Sequence, residues 1–96
     1  MHSITVQDFC SLLDSNSISI IDIRDTAAFK ENHLEQAISM PATSVPNELA
    51  NLDKTKPHYV ISHSGRRSEV IANYLAMNEI QATHVIGGMK SIKALV

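Results

Sequence analysis

The segment Ser17–Arg24 constrains the fold more than any other part of the chain. It contains four isoleucines, begins in alternation with serines and becomes nearly continuous in apolar residues. β-Branched residues favour strands, and a strand that is apolar on both faces needs cover on both faces, as in a parallel sheet between helices. The segment therefore predicts an interior strand whose charged residues, Asp22 and Arg24, lie at its carboxyl end, where ligands bind in open parallel sheets.

Helical and strand patterns alternate along the chain. The segments predicted to be helical run from Thr5 to about Asp14, from Thr26 to Glu31, from Ser44 to about Leu52, from Arg67 to Asn78 and from Met89 to Leu95. The other predicted strands are Ala37–Met40, His58–Ile61 and Thr83–Ile86. This alternation predicts an α/β fold with a central, mainly parallel sheet, flanked by helices and joined by right-handed crossovers.

Side-chain patterns predict how some of these helices begin and which face they bury. Thr5 and Ser44 are expected to cap the first and third helices through their hydroxyl groups. In the helix that begins at Arg67, apolar residues repeat near the helical period. The predicted inward face of that helix consists of Val70, Ile71, Tyr74, Leu75 and Met77.

Length and charge limit what the chain can be. Its 96 residues predict one domain, residues 1–96, because two halves would each be too small to bury a core. A net charge of −2 gives no basic field of the kind that attracts nucleic acid or anionic lipid. The apolar runs are far shorter than the roughly 20 residues of a membrane span, and the N-terminus lacks the features of a secretory signal. We therefore expect a cytoplasmic protein with neither nucleic acid nor a membrane as a partner.

The segment Ser62–Ser68, with the sequence SHSGRRS, joins the strand His58–Ile61 to the following helix. A strand that turns directly into a helix presents several backbone N–H groups to one point, where the helix dipole adds positive potential. Gly65 permits a positive φ, while Arg66 and Arg67 add positive charge. The segment predicts an anion-binding loop; the alternative is an ordinary strand-to-helix turn that contains a glycine.

Four stretches, in this order and spacing, resemble the rhodanese family of sulfurtransferase domains. They are Ile21–Arg24, His33–Pro41, Ser62–Ser68 and Val85–Met89, the last of which resembles the family's double-glycine turn before its final helix. The resemblance covers nearly the whole chain. It implies a rhodanese-like fold, in which a central, mainly parallel five-stranded sheet is flanked by helices on both faces.

One departure from the family pattern bears directly on activity. The family's loop begins with a cysteine three residues before the glycine, and Ser62 occupies that position here. In the family, the cysteine attacks a sulfane sulfur, carries it as a persulfide and passes it to cyanide or a thiol. That chemistry needs a thiolate, and a hydroxyl is a far weaker acid. Cys10 lies in the predicted first helix and does not replace the missing thiol.

The resemblance therefore implies a rhodanese-like domain that keeps the anion-binding loop, has Ser62 at the nucleophile position and acts as a binding or regulatory module. The expected ligand is a small anion such as thiosulfate, sulfate or a phosphate-like group, and a protein partner is a further expectation. The predicted binding residues are Ser62, His63, Ser64, Gly65, Arg66, Arg67 and Ser68.

Two alternatives remain open at this point. The first is a working thiosulfate or persulfide sulfurtransferase whose nucleophilic cysteine has been replaced by Ser62. The second is a small phosphatase-like enzyme, because related folds use a similar loop on phosphoryl groups. The missing thiolate argues against the second alternative, as does a short loop in which Arg67 lies only five positions after Ser62.

Two charged residues at the carboxyl end of the first predicted strand are expected to support the loop. Asp22 is expected to accept hydrogen bonds from loop N–H groups or to pair with Arg67; the alternative is an exposed charge at the strand end. Arg24 needs a carboxylate partner, for which Asp25 and Glu31 are the nearest candidates.

The five histidines show no paired spacing of the kind found in zinc sites, so neither a metal nor another cofactor is predicted. His33 matches a structural position of the family, which implies a hydrogen bond to the backbone rather than acid–base work. A serine hydrolase is disfavoured because the Gly-x-Ser-x-Gly turn is absent. Cys10 is expected at the edge of the core.

Overall fold

Five parallel strands form a single sheet in the computed structural model, which describes residues 1–15 and 17–95. The strands are β1 (His2–Ile4), β2 (Ser19–Asp22), β3 (Ala37–Ser39), β4 (His58–Ile61) and β5 (Ala82–Val85). Their order across the sheet is β1-β5-β4-β2-β3, and every neighbouring pair is parallel. The predicted α/β architecture with a parallel five-stranded sheet is confirmed.

Within residues 1–15 and 17–95, five helices alternate with the strands. They are α1 (Val6–Ser15), α2 (Thr26–Glu31), α3 (Val45–Glu48), α4 (Arg66–Met77) and α5 (Gly88–Leu95). Short 3₁₀ turns, Ala42–Ser44 and Leu49–Asn51, flank α3. None of the described helices has the length and apolar composition needed to cross a bilayer.

Neighbouring residues of the central strands enter different hydrophobic clusters. In β2, Ile20 packs with residues of α1 and α5, whereas Ile21 packs with residues of α3 and α4. In β4, Val60 belongs to the α3 and α4 cluster and Ile61 to the other. Successive side chains of a strand point to opposite faces, so a sheet with helices on both faces needs apolar residues at consecutive positions. This requirement explains the nearly continuous apolar sequence of β2.

The N-terminal strand and the third helix differ from the prediction. β1 was not predicted, because its residues are too few and too polar to show a strand pattern, and it forms through backbone pairing with β5. The third helix is broken into α3 and two 3₁₀ turns. Ser44 does not cap it, since its backbone is already helical and its hydroxyl donates to the Pro41 carbonyl (2.9 Å). The Thr5 cap is confirmed: Thr5 Oγ1 accepts from the Asp8 N–H (3.2 Å).

The buried face of α4 is narrower than its apolar pattern predicts. Val70 and Met77 are 67% and 77% exposed, so their predicted inward position is wrong. The buried residues of the helix are Ser68, Ala72 and Leu75. Small side chains at two of these three positions allow the helix to approach the sheet closely. Ile71 and Tyr74 pack at the edge of that contact.

Leu75 and Met77 therefore provide a matched test of this face. Leu75→Ala should lower the free energy of unfolding by about 2–5 kcal/mol, because it removes a fully buried side chain from the core. Met77→Ala, two positions away on an exposed face, should change it by about 0.5 kcal/mol or less. Urea unfolding of both variants measures the difference. Similar losses in the two variants would contradict the assigned face.

Candidate functional site

A cavity of about 450 Å³ opens at the carboxyl edge of the sheet, between the segments that follow β2 and β4. These two strands are neighbours, but β2 leads to β3 on one side of the pair and β4 leads to β5 on the other. In open parallel sheets, the crevice formed at such a reversal of strand order is the usual ligand site. The topology therefore places the segments after β2 and β4 around one cavity, and of the residues predicted for the site, Arg24 and most of the 62–68 loop line it. Asp22, His33, Gly65 and Ser68 do not line the cavity.

Ser62 is the first residue after β4 and forms part of the cavity wall. Only 3% of the residue is exposed. Its Oγ accepts hydrogen bonds from the N–H groups of Gly65 (3.1 Å) and Ser68 (3.3 Å), so the loop closes around this oxygen. A side-chain atom held by two backbone donors near the start of a helix lies in positive potential. The Ser62 oxygen therefore lies at the point where backbone donors of the loop converge.

A second buried hydroxyl lies behind Ser62. Ser62 Oγ donates to Ser68 Oγ (3.1 Å), which also lies 2.8 Å from Nδ1 of His84 and 3.1 Å from the Gly65 carbonyl oxygen. Burial lowers the pKa of His84, and the opposing effect of the Glu69 carboxylate is smaller. His84 is thus uncharged at neutral pH. His84 is not among the residues predicted for the site, and its place in the predicted last strand is the signal that could have put it beneath the loop.

Several loop amides remain free to bind a ligand. Within the described residues, the N–H groups of Ser64, Arg66 and Arg67 donate to no protein acceptor. The side chains of His63, Ser64, Arg66 and Arg67 are exposed, and all four residues line the cavity. Free amides at the start of the 12-residue helix α4, together with two guanidinium groups, can attract and bind an anion.

The rear of the loop is fixed by the first turn of α5 and by Gly87, which precedes that helix. The N–H groups of Met89 and Lys90 donate to the carbonyl oxygens of Ser62 (2.8 Å) and His63 (2.9 Å). Gly65 has a φ of +96°, which confirms the predicted positive value. A Cβ atom at Gly65 would lie 2.8 Å from the backbone nitrogen of Gly87, closer than real contacts allow. The glycine is therefore needed for close approach to this turn and for its backbone angle.

Asp22 and Arg24 pair with each other, which corrects both predicted pairings. Asp22 is fully buried and accepts from the backbone N–H, Nε and Nη2 of Arg24, the last at 2.7 Å. Arg24 lies two residues beyond Asp22, after the strand has ended, so its side chain can fold back onto the carboxylate. This hydrogen bonding raises the pKa of Arg24. The Asp22 carboxylate is thus occupied by Arg24 rather than by the loop or Arg67, and Asp25 instead caps α2 by accepting from the Ala28 N–H (2.8 Å).

Arg24 also connects the site to the segment after α2, since its Nη2 donates to the Asn32 carbonyl (2.7 Å). The next residue, His33, donates from Nδ1 to the Phe29 carbonyl (2.8 Å), and its ring stacks on Phe29 with centroids 3.9 Å apart. The expected backbone bond of His33 is confirmed. His33 therefore supports the segment around α2 and does not line the cavity.

Cys10 packs at the edge of the cluster formed by α1 and α5, as expected, and is half-buried. Burial and the nearby Asp14 carboxylate raise the pKa of its thiol. The thiol is therefore protonated at neutral pH and is poorly suited to nucleophilic chemistry. Among the described residues, no three His, Cys, Asp or Glu side chains are arranged to hold a metal ion.

Gly65→Val tests the loop geometry. A β-branched residue at positive φ should cost about 1–3 kcal/mol in strain, in addition to the contact with Gly87. Because the buried face of α4 is unchanged, unfolding should remain cooperative, while the amide chemical shifts of residues 62–68 should change most. Ser64→Val is the matched control, since Ser64 is exposed and lacks a positive φ. Equal stability of the two variants in urea would show that the glycine is dispensable.

The chain is similar to proteins of one known family. The model of the rhodanese-like domain family matches residues 5–95. The thiosulfate sulfurtransferase GlpE of Tolumonas auensis is 28% identical over 85 residues, which cover 88% of this chain and 80% of the relative. The putative sulfur carrier protein YrkF of Bacillus subtilis is 28% identical over 89 residues; the match covers 91% of this chain but only 48% of YrkF.

Solved structures show the same fold. The crystal structure of a rhodanese-like domain protein from Staphylococcus aureus matches with a TM-score of 0.90 and 29% identity, covering 96% of this chain and 91% of that one. A crystal structure from Staphylococcus saprophyticus matches with a TM-score of 0.91 and 31% identity, covering 96% and 93%. The family match over residues 5–95 and these shared folds lead to one conclusion: the chain belongs to the rhodanese-like domain family.

Proposed function

We propose that this chain is a rhodanese-like binding module whose loop, residues 62–68, binds a small anion and which does not transfer sulfur by itself. The observation that carries the proposal is the position of Ser62 Oγ, which accepts two backbone N–H bonds at the centre of the loop. The resemblance of the loop to the family motif aligns this oxygen with the sulfur of the family's nucleophilic cysteine.

The difference between a serine hydroxyl and a cysteine thiol explains why Ser62 matters for sulfur transfer. Backbone donors and a helix N-terminus lower the pKa of a thiol enough to form a thiolate at neutral pH. The same donors leave a serine hydroxyl protonated, because its pKa starts far higher. An oxygen nucleophile also cannot carry the transferred sulfur as a persulfide. Ser62 therefore keeps the binding features of the loop and removes the carrier of the sulfur atom.

The ligand that best fits the loop is a small oxyanion such as thiosulfate, sulfate or a phosphate-like group. The free amides of Ser64, Arg66 and Arg67 provide directed donors, and the two arginine side chains provide charge. The name of the GlpE relative supports this ligand class, since that protein is called a thiosulfate sulfurtransferase. Thiosulfate has the same charge and nearly the same shape as sulfate, so one site can accept both.

A protein partner is also part of the proposal. A second, apolar depression of about 300 Å³ lies beside the cavity and shares Arg66 and Arg67 with it. Its apolar wall includes Val70, which is exposed on α4, and Ile71. An exposed apolar surface next to a charged pocket is typical of binding surfaces, so a regulatory partner could bind here and reach the anion site.

Thiosulfate-to-cyanide sulfur transfer tests the role of Ser62. The protein should show no activity above background, and Ser62→Cys should gain activity, because the loop donors activate a thiol at that position. Ser64→Cys is the matched control: it places a thiol in the same loop but away from its central donors, and should remain inactive. Activity of the unchanged protein that survives alkylation of Cys10 would contradict the proposal.

The same assay addresses the alternative of a sulfurtransferase whose cysteine has been replaced. A gain of activity in Ser62→Cys shows that the loop geometry is competent, and the codon of Ser62 in the source genome then decides whether the serine is native. An inactive Ser62→Cys variant that folds normally would show that the loop no longer supports this chemistry. Either result leaves the binding of anions to be measured separately.

Sulfate titration followed by amide chemical shifts tests the anion site. The largest shifts should fall between His63 and Ser68, because those amides surround the cavity. Binding should be weak and should weaken further with added sodium chloride, since screening reduces an electrostatic interaction at an open site. Shifts that cluster outside residues 62–68 would contradict the proposed loop.

A further inference from the structure

A chain of three buried side chains runs from the cavity wall into the sheet. Ser62 Oγ and Ser68 Oγ are 3.1 Å apart, and Ser68 Oγ is 2.8 Å from Nδ1 of His84. All three residues are at most 5% exposed. These hydrogen-bonded side chains thus connect the Ser62 hydroxyl at the cavity wall to the titratable ring of His84 on β5, and none of them is exposed.

The charged groups around His84 lie on α4, at the cavity rim and at the start of α5. The residues opposite His84 on the adjacent strands are Ser3 of β1 and Val60 of β4, neither of which carries charge. From α4, the Glu69 carboxylate favours the charged ring, but burial outweighs it. The other charged or titratable side chains on these elements are His2 of β1, His58 and Tyr59 of β4, Arg66, Arg67 and Tyr74 of α4, and Lys90 and Lys93 of α5. His63 and Arg24 line the cavity, and Arg24 is paired with the buried Asp22.

We propose that His84 is a positioning residue that couples anion binding at the 62–68 loop to proton uptake, because through Ser68 it decides whether the Ser62 hydroxyl is available to the ligand. The inference rests on the proposed anion-binding function and adds to it a determinant of ligand affinity. His84 itself does not line the cavity, so it acts only through Ser68, Ser62 and its own charge.

The direction of the hydrogen bond between Ser68 Oγ and Nδ1 depends on the tautomer of His84, and we assign the proton of the neutral ring to Nε2. In that tautomer Nδ1 accepts the Ser68 proton, which otherwise goes to the Gly65 carbonyl, and Ser68 Oγ accepts the Ser62 proton. The Ser62 proton then points away from the cavity. When His84 takes up a proton from solvent, Nδ1–H becomes a charged donor to Ser68 Oγ, and the Ser68 proton turns to the Gly65 carbonyl 3.1 Å away. The charged Nδ1–H donor then competes with the Ser62 proton for Ser68 Oγ, so the Ser62 hydroxyl can turn to an anion in the cavity.

Proton uptake and anion binding should therefore strengthen each other. A positive ring beneath the loop attracts the anion, and the freed Ser62 hydroxyl supplies one more donor. By thermodynamic linkage, a bound anion must raise the pKa of His84 by the amount that corresponds to the gain in affinity. Burial of the neutral ring ensures that this proton is absent at neutral pH until an anion binds or the pH falls.

Sulfate is the suitable probe, because it remains a dianion throughout the range in which histidine titrates, from about pH 8 to about pH 5. Over this range its dissociation constant for the unchanged protein should fall about tenfold or more. Saturating sulfate should raise the pKa of the His84 ring, followed by NMR, by about one unit for each tenfold gain in affinity.

Three variants distinguish the effect of His84 from that of the other polar groups around the cavity. His84→Asn keeps a polar partner for Ser68 but cannot titrate, so most of the pH dependence should be lost. His63→Gln removes the exposed histidine that lines the cavity and is the matched control; its sulfate affinity need not equal that of the unchanged protein, but most of the pH dependence should remain. Ser62→Ala removes the hydroxyl group whose proton turns toward the anion in this proposal. The variant should therefore show a smaller pH dependence of sulfate affinity than the unchanged protein. If His84→Asn does not fold, the ring titration of the unchanged protein with and without sulfate gives the same test.

The outcomes are distinct. Equal sulfate affinity at the two pH values would overturn the role of His84 and leave the loop as an anion site. No sulfate binding at either pH would overturn the proposed function itself. A pH dependence that disappears in His63→Gln and persists in His84→Asn would assign the effect to the exposed histidine. An unaltered pH dependence in Ser62→Ala would refute the proposed reorientation of the Ser62 hydroxyl.

Discussion

The backbone contact between the 62–68 loop and the start of α5 determines how the site can be built. The N–H groups of Met89 and Lys90 hold the carbonyl oxygens of Ser62 and His63, so one side of the loop is fixed against the rest of the fold. The amides on the other side are then directed to the cavity. The contact requires glycine at the point of closest approach, because a Cβ atom at Gly65 would meet the backbone of Gly87. The double glycine near the end of the chain and the glycine of the loop are therefore parts of one structure.

Much of the fold could be predicted because its signals are local. α2 begins and ends at the predicted residues, and β4 has the predicted bounds, since each is marked by flanking residues that interrupt the pattern. The wrong predictions concern features that depend on contacts between segments distant in sequence. β1 forms only because β5 offers a backbone partner, which three residues of sequence cannot indicate. The exposed positions of Val70 and Met77 depend on how closely α4 approaches the sheet, which is a property of the assembled fold.

In the site, too, local features could be predicted and long-range contacts could not. The loop and the positive φ of Gly65 could be predicted, because the relevant residues are contiguous and their backbone chemistry is local. The partners of charged and polar side chains could not. The sequence left Asp22 with two predicted partners, the loop N–H groups and Arg67, but the chain after β2 brings Arg24 back onto its carboxylate. His84 lies 16 residues beyond Ser68, and the adjacent positions of α4 and β5 bring them together.

The lengths of the outer strands have a consequence for association with other chains. The sheet ends in β1 on one side and β3 on the other, and each has only three residues. An edge strand offers unpaired backbone groups to any extended polypeptide, and a short one offers few of them. β3 is also followed closely by Pro41, which has no N–H to donate. Both margins of the sheet are thus poor templates for strand addition from another chain.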